Sequence, residues 1–323
     1  MQVARWPGAP LPAREPSVVT LGVFDGVHRG HAQVLRHVVD AARRRRHRAA
    51  VVTFDRHPAA VLSGATLSAI TSLEHRIRLF QSLGLDLCVV VRFCEEVAQI
   101  GAEEFVRQVL RGELGAELVV LGYDCRFGRK REGDAALCAR LGRELGFEVL
   151  VLPAVAVEGR PVSSTVVRQA ILEGDFDRAG RFLGRPFSLY GTVVKGDGRG
   201  QLLGYPTANL DLHDEAIPPD GVYAGWAFTD SEPLPGVISV GRRATFHPEP
   251  GCARVVEVHL IGQRQDLYGR DVEVQFVRRL REQRVFDGEE PLKAQIARDV
   301  AAARKALAGR PVGGGPRPHG GRQ

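Results

Sequence analysis

Two histidines three residues apart, in the stretch GVFDGVHRGH at 22–31, are the first residues of this chain able to do chemistry together. They follow the apolar run Val18, Val19, Thr20, Leu21, so a strand leaves through a glycine-rich turn and a helix begins. Val34, Leu35 and Val38 continue the helical stripe of His31, and His28 lies one turn earlier on the same side. Both imidazoles then project from a helix N-terminus, where free N–H groups and the positive end of the dipole favour a phosphate. Gly26 and Gly30 carry no side chain and let the backbone come close to it. Two imidazoles beside a polyphosphate stabilise charge that builds at phosphorus and on leaving oxygens. A turn whose histidines only cap the helix fits the same residues.

Two further groups point to phosphate. In SSTVVR at 163–168, Ser164 and Arg168 share a helix face and Thr165 adds a second hydroxyl, so hydroxyls and a guanidinium fork converge. An N-cap followed by a solvated arginine reads equally from those residues. In GDGRGQLLGYPTAN at 196–209, Gly196 and Gly198 belong to a loop able to lay N–H groups on phosphates. Thr207 and Asn209 alternate along an extended chain and face one way, offering hard oxygen donors suited to Mg²⁺ carrying ATP. In VVEVHLI, Glu257 faces away from Val256, Val258 and Leu260, as a base for a substrate hydroxyl or as a solvent-facing strand glutamate. The chain has no GxxxxGK[ST] and no GxGxxG, which excludes a Walker loop and argues against a dinucleotide fingerprint.

The elements that must position these residues fall into two patterns. From 17 to about 152, the β-rich runs SVVTLGVF, AAVVTFD, DLCVVVRF, ELVVLGYD and FEVLVLP alternate with helical segments, among them HAQVLRHVVDAARRR, EHRIRLFQSLG and GDAALCARLGRELG. Thr71 and Glu74 form a capping box before one of them. Such alternation predicts an α/β domain with a parallel sheet, helices on both faces and ligands outside the carboxyl ends of the strands. After the turn Gly184-Arg185-Pro186 the runs FSLYGTVVKG, GVYAGWAFT, GVISVG, CARVVEVHLIG and DVEVQFVRRL predict an antiparallel barrel or sandwich. A closing helix carries Leu292, Ile296, Val300 and Leu307 on one stripe. The expected domains are therefore 1–186 and 187–308, followed by a glycine- and proline-rich tail, 309–323, expected to be disordered.

At 323 residues, two domains are the natural expectation. No run of about 18 apolar residues exists and MQVARWPGAP lacks a signal peptide's apolar core, so a cytoplasmic protein without a membrane partner is expected. The five cysteines (Cys88, Cys94, Cys125, Cys138, Cys252) contain no CxxC pair and read as reduced thiols. Net charge is +6. The run RRRRHR at 43–48 has no interleaved aromatic residue and reads as a helix C-terminus rather than a nucleic-acid site.

GVFDGVHRGH, TFDRHPAAVL, LGYDCRFGRKREGD and VSSTVVR, in this order and spacing, resemble the adenylyltransferase module of bacterial bifunctional riboflavin kinase/FMN adenylyltransferases (FAD synthetases). GDGRGQLLGYPTANL, GVYAGWA, VEVHLI, DLYGRDVEVQFVRRLR and FDGEEPLKAQIARDV resemble the riboflavin kinase module of the same enzymes. The resemblance spans about 17–308 and implies a nucleotidylyltransferase-type domain, a riboflavin-kinase-type barrel, and two reactions. Riboflavin would be phosphorylated by ATP to FMN, and FMN adenylylated by a second ATP to FAD and pyrophosphate. It implies that Gly22, Phe24, Asp25, Gly26 and Gly30 form the nucleotide turn, that His28 and His31 meet the ATP phosphates, and that Ser164, Thr165 and Arg168 sit by the same polyphosphate. His57, Pro58, Asp124, Arg126, Phe127 and Gly128 would line the flavin side. In the kinase module Gly196 and Gly198 would cradle ATP, Thr207 and Asn209 would hold Mg²⁺ and ATP, and Glu257 would be the base. Arg281 would belong to a flap, 280–286, over the flavin. Arg56 stands where the family usually has proline, and Cys125 where it has phenylalanine. Gln201 and Leu202 replace a common Arg-Thr, and Ala244 replaces a proline. A chain with one module inactive, or a flavin-binding regulator without turnover, would keep much of the same pattern. A homo-oligomer is compatible with it.

Overall fold

The structure is a computed structural model that describes residues 1–8, 10–63, 68–196, 198–229, 232–242, 254–263, 265–309 and 312. Ala244, Cys252, Asp197 of the glycine loop and nearly all of the 309–323 tail lie outside the described residues. The chain divides into two compact units: Met1–Ala69 with Leu73–Ser164, and Ile70–Ser72 with the described residues from Thr165 onward.

The first unit is the expected parallel sheet. Its strands are β1 (Gln2–Trp6), β2 (Ser17–Leu21), β3 (Arg48–Phe54), β4 (Leu87–Val91), β5 (Ala116–Gly122) and β6 (Glu148–Leu152). They pair in the order β1-β4-β3-β2-β5-β6, every ladder parallel. Helices α1 (Arg29–Arg45), α2 (Pro58–Ser63) and α3 (Leu73–Ser82) follow β2 and β3 in sequence. Next come α4 (Glu95–Ala98), α5 (Ala102–Phe105), a π-helical segment Val106–Glu113, and α6 (Ala135–Leu145). A short hairpin, β7 (Ala156–Val157) with β8 (Arg160–Pro161), follows β6.

β2 is buried along its whole length and sends alternate residues to two cores. Val18 joins Val34, Leu35, Val38 and Phe80 on one face, while Val19 and Leu21 join Phe105, Leu110 and Leu141 on the other. The chain runs from β2 to β3 and β4 on one side, then returns to β5 and β6 on the other. The carboxyl ends of β2 and β5 therefore form the switch point, the place where open α/β sheets bind their ligands. β1 was not expected as a strand; it closes the sheet edge beside β4, and its Trp6 packs edge-on against Phe105 at 6.0 Å. The arginine run ends α1 as read: Arg43, Arg44 and Arg45 fill its last turn, and Arg43 and Arg45 pair with Asp86 and Glu148.

In the second unit, α8 (Phe176–Leu183) comes after α7 (Ser164–Glu173), the helix within which the two units divide. The strands β9 (Ser188–Val194), β10 (Ala208–Asp211), β11 (Gly221–Phe228), β12 (Leu234–Arg242), β13 (Arg254–Leu260) and β14 (Asp271–Arg281) close an antiparallel barrel in the order β10-β13-β12-β11-β14-β9. A short helix α9 (Arg199–Leu202) precedes β10, and α10 (Glu289–Leu307) packs Ala303 and Leu307 against Val222, Ala224 and Val237. Ile70–Ser72 counts with this unit because buried Glu215 accepts the N–H and hydroxyl of Ser72 at 2.8 and 2.9 Å and the N–H of Tyr190 at 3.0 Å.

The glycine-proline turn at 184–186 lies inside this unit. Upstream of it, Phe176 of α8 stacks on Phe187 at 5.6 Å and leans on Tyr223 and Phe276 at 5.5 and 5.2 Å. Truncating it opens a cavity beside three aromatic rings. Phe176→Ala should lower the unfolding free energy of the barrel unit by about 3–5 kcal/mol, read by denaturant titration of the full chain with tyrosine and tryptophan fluorescence.

Candidate active sites

The turn leaving β2 passes through the left-handed region three times. Phe24 (φ 53°), Gly26 (φ 79°) and Val27 (φ 40°) all take positive φ before α1 starts at Arg29. Only glycine adopts such φ freely, which accounts for Gly26. Gly22 is needed for a different reason: a Cβ there would meet the Phe24 ring at 3.2 Å. Phe24 lies edge-on to His31 and to Phe80, with centroids 5.2 and 5.8 Å apart.

His28 is the N-cap of α1, and its Nδ1 accepts the N–H of His31 at 3.3 Å. The two rings stack, centroids 3.6 Å apart and planes 17° from parallel. Capping and a paired imidazole site are thus one arrangement. Gly30 borders it, since a Cβ there would touch the His28 ring at 3.3 Å. The Nδ1 of His31 is sealed from solvent and has no hydrogen-bond partner. Burial, followed by the charges of His28 and Arg76, holds the His31 pKa well below its ordinary 6.5, so the ring is neutral at pH 7. Asp25 is buried, and its carbonyl accepts the Ser164 hydroxyl at 3.0 Å, which brings the start of α7 to the turn. Thr165 and Arg168 follow on α7, Thr165 exposed and Arg168 half-buried, both counted with the second unit.

Sequence reasoning missed Arg76. It lies on α3 among apolar positions, 5% exposed, and donates to the Val23 carbonyl at 2.6 Å, the Thr53 hydroxyl at 3.0 Å and the Phe54 carbonyl at 3.0 Å. The signal was present: in EHRIRLF an arginine stands three and four residues before Leu79 and Phe80, on their stripe.

Two more loops leave the same sheet edge. After β3, Asp55 Oδ1 accepts the N–H of Arg56 at 2.8 Å and of Phe93 at 2.9 Å, and His57 Nδ1 accepts the Ala59 N–H at 3.2 Å as Pro58 opens α2. After β5, Asp124 begins a loop in which Arg126 pairs with Asp134 at 2.7 Å and Phe127 bridges to Gly133. Gly128 (φ 74°) presses on the backbone of Ala102, where a Cβ would come within 2.6 Å. Cys125 spans the switch point, its Sγ 3.8 Å from the Leu21 carbonyl, and burial pushes its pKa up to about 12.

The second site lies on the barrel. Asn209 of β10 is opposite Glu257 of β13, and Glu257 is opposite Ser239 of β12, so the three side chains share one face. Thr207 donates to Glu257 Oε2 at 3.5 Å, a long contact. Gln283, after β14, donates to Ser239 at 3.2 Å. Ser239 was legible only as the lone polar residue in GVISVG. The loop glycines are steric necessities: a Cβ on Gly196 would collide with the Asn209 amide, and one on Gly200 with the Tyr205 carbonyl, 3.2 Å from Thr207 Oγ1. Gly198 has φ 70°. Of these residues Gly196, Gly198, Thr207 and Asn209 line a cleft of about 370 Å³ together with Val258, Asp266 and Tyr268, while Glu257 and Ser239 are not part of its lining. Arg281 is held by Asp299 of α10, with Nε at 3.0 Å from both carboxylate oxygens and Nη2 at 2.8 Å from one, and it lies 5.7 Å from the Phe286 ring centroid.

Comparison with known proteins gives a concordant result. A family model described as FAD synthetase matches residues 11–166, and one described as riboflavin kinase matches 183–307. A bifunctional riboflavin kinase/FMN adenylyltransferase of Escherichia coli (strain K12) is 37% identical over 294 residues, covering 90% of this chain and 93% of that one. Its counterpart from Pseudomonas fluorescens is 36% identical over 308 residues, covering 95% and 98%. A crystal structure from Streptococcus pneumoniae, described as a macrolide-efflux protein, aligns with a TM-score of 0.75 and 32% identity over 92% of this chain and 96% of that chain. Among the described residues no helix is long and apolar enough to cross a membrane.

The lowered pKa of His31 has a stability consequence. Below about pH 6.5 the unfolded chain protonates this ring while the folded one resists, so the unfolded state binds more protons. The contribution of His31 to stability is complete above that pH and erodes as pH falls through the window below it. An NMR titration of the histidine ring signals should show one ring still neutral when an ordinary histidine is protonated.

Proposed function

The chain belongs to the family of bifunctional riboflavin kinase/FMN adenylyltransferases, and from that premise we propose which of its residues carry each reaction. The activities are ATP-dependent phosphorylation of riboflavin to FMN and adenylyl transfer from ATP to FMN, giving FAD and pyrophosphate. We assign the second to the region 1–186 and the first to 187–308, with the helices from Ser164 to Leu183 supporting the barrel.

Adenylyl transfer needs little base. The FMN phosphate is already ionised at neutral pH, and its oxygen attacks the α-phosphorus as the bond to pyrophosphate breaks. Negative charge then grows on the phosphoryl and departing oxygens. His28, His31 and the N–H groups opening α1 are the donors that meet it, with Ser164, Thr165 and Arg168 on the pyrophosphate. The observation that carries this reading is the stacked imidazole pair at a helix N-terminus. A neutral His31 still offers one ring N–H to that charge. The loops at 55–58 and 124–128 are read as the flavin side.

In the kinase site Glu257 takes the proton of the riboflavin 5′-hydroxyl as that oxygen attacks the γ-phosphorus. Thr207 and Asn209 are hard oxygen donors in a cradle whose walls, at Gly196 and Gly200, a single methyl would fill, which fits Mg²⁺ shared with ATP. Bound there, Mg²⁺ would neutralise phosphate charge. Gly196 and Gly198 shape the loop over those phosphates. Arg281 orders the 280–286 flap through Asp299 and Phe286. ATP, riboflavin and FMN are the small-molecule partners, and cytoplasmic residence without membrane or nucleic acid belongs to the same proposal.

Two substitutions separate the sites. Glu257→Gln keeps the shape but cannot accept a proton, so FMN formation should be lost while FAD is still made from supplied FMN. His31→Ala removes a transition-state donor worth about 2.7–4 kcal/mol in comparable sites, so riboflavin and ATP should yield FMN with little FAD. Chromatography of the flavin products over time reads both. Near-normal FMN output from Glu257→Gln, or near-normal FAD output from His31→Ala, would refute the corresponding assignment.

A further inference from the structure

We infer that Arg76 is a positioning residue for adenylyl transfer: its guanidinium clamps the carboxyl ends of β2 and β3 together and so sets the turn on which His28 and His31 stand. The inference rests on the adenylyl-transfer reading of that turn. Three observations carry it. Arg76 is buried on α3, yet the acceptors it reaches are neutral: the carbonyls of Val23 and Phe54 and the hydroxyl of Thr53. Those acceptors are the last residues of one strand and the first residues past another. Thr53 donates in turn to Val23 at 3.1 Å, so one carbonyl at the root of the left-handed turn receives two donors. A solely structural helix residue at this position would be apolar, as Leu79 and Phe80 are on the same stripe.

A buried guanidinium is costly, and burial pulls its pKa below the usual range against the opposing charges of Asp25, Cys88, Glu74 and Asp55. A clamp for two loop carbonyls needs a planar fork, which lysine lacks. The charge has a second effect. The groups whose charges bear on His31 are His28 and Arg76, so Arg76 helps keep that imidazole neutral.

The test uses the full chain with Arg76→Gln and Arg76→Lys, assayed with ATP, Mg²⁺ and either FMN or riboflavin. Displacing the turn by about an ångström should lower kcat for FAD formation roughly 10- to 100-fold. The KM for FMN and the rate of riboflavin phosphorylation should stay near those of the unmodified chain. The His31 ring should titrate at higher pH in Arg76→Gln and stay low in Arg76→Lys, which keeps the cation. Turnover in Arg76→Lys should remain reduced, because an ammonium cannot hold both carbonyls. Unchanged FAD turnover in either variant, equal loss of both activities, or an unmoved His31 titration in Arg76→Gln would each overturn the inference. If Arg76→Gln does not fold, Arg76→Lys decides alone by its turnover. His31→Ala separates the two levels: if it still makes FAD, the reading of the turn fails; if it does not while the Arg76 variants do, only this inference fails.

Discussion

Everything at the first site hangs on a strained turn. A strand buried on both faces must become a helix within seven residues, Gly22 to His28, and the backbone does so by holding Phe24 and Val27 at positive φ. For a β-branched residue that region is an outlier, and each such residue costs of order 1–3 kcal/mol. Burying Phe24 and Val27 recovers about 1.5–3 kcal/mol each. The two terms are of one size, so packing alone leaves the turn near balance. Polar restraint tips it: the Val23 carbonyl is held from below by Thr53 and Arg76, and the Asp25 carbonyl by Ser164. What results is a helix N-terminus at the carboxyl end of β2, capped by His28, with the rings of His28 and His31 stacked there.

The proposed kinase site solves a related problem by other means. Its side chains project from the outer face of a closed barrel, where register between strands fixes them: Asn209, Glu257 and Ser239 are successive cross-strand neighbours. A one-residue slip of β13 would turn Glu257 into the barrel and send Val258 out. Closure prevents that slip, because β13 is held on both sides, by β10 and by β12. The adjoining loop then needs only to come close, and two glycines allow it.

Much of this was legible in the residues because it is local. The alternation of apolar runs with helical periods identified five strands of the sheet, and GVFDGVHRGH marked the turn at its carboxyl edge. That Thr207 and Asn209 face one cleft was legible from their spacing along an extended chain. What stayed hidden depends on contacts between distant segments. QVARW has neither length nor a clean alternation and becomes β1 only because β4 offers an open edge. Arg76 lies in a helix that was read correctly, but a charged residue on an apolar stripe discloses its purpose only once Val23 and Phe54 are seen above it. The turn at 184–186 reads as a boundary by composition, whereas the contacts of Phe176 carry the barrel unit upstream of it. The segment 95–113, partly π-helical, carries a helical stripe of Ala102, Phe105, Val106, Val109 and Leu110 that sequence reasoning passed over.

The thiol beside the Leu21 carbonyl reaches beyond geometry. With burial raising Cys125 and Cys88 to about 12, and Cys138 to about 11, these three thiols stay protonated at neutral pH. Peroxides and alkylating agents attack the thiolate and find almost none. In a protein that makes redox carriers, burial thus keeps these three sulfurs slow to react.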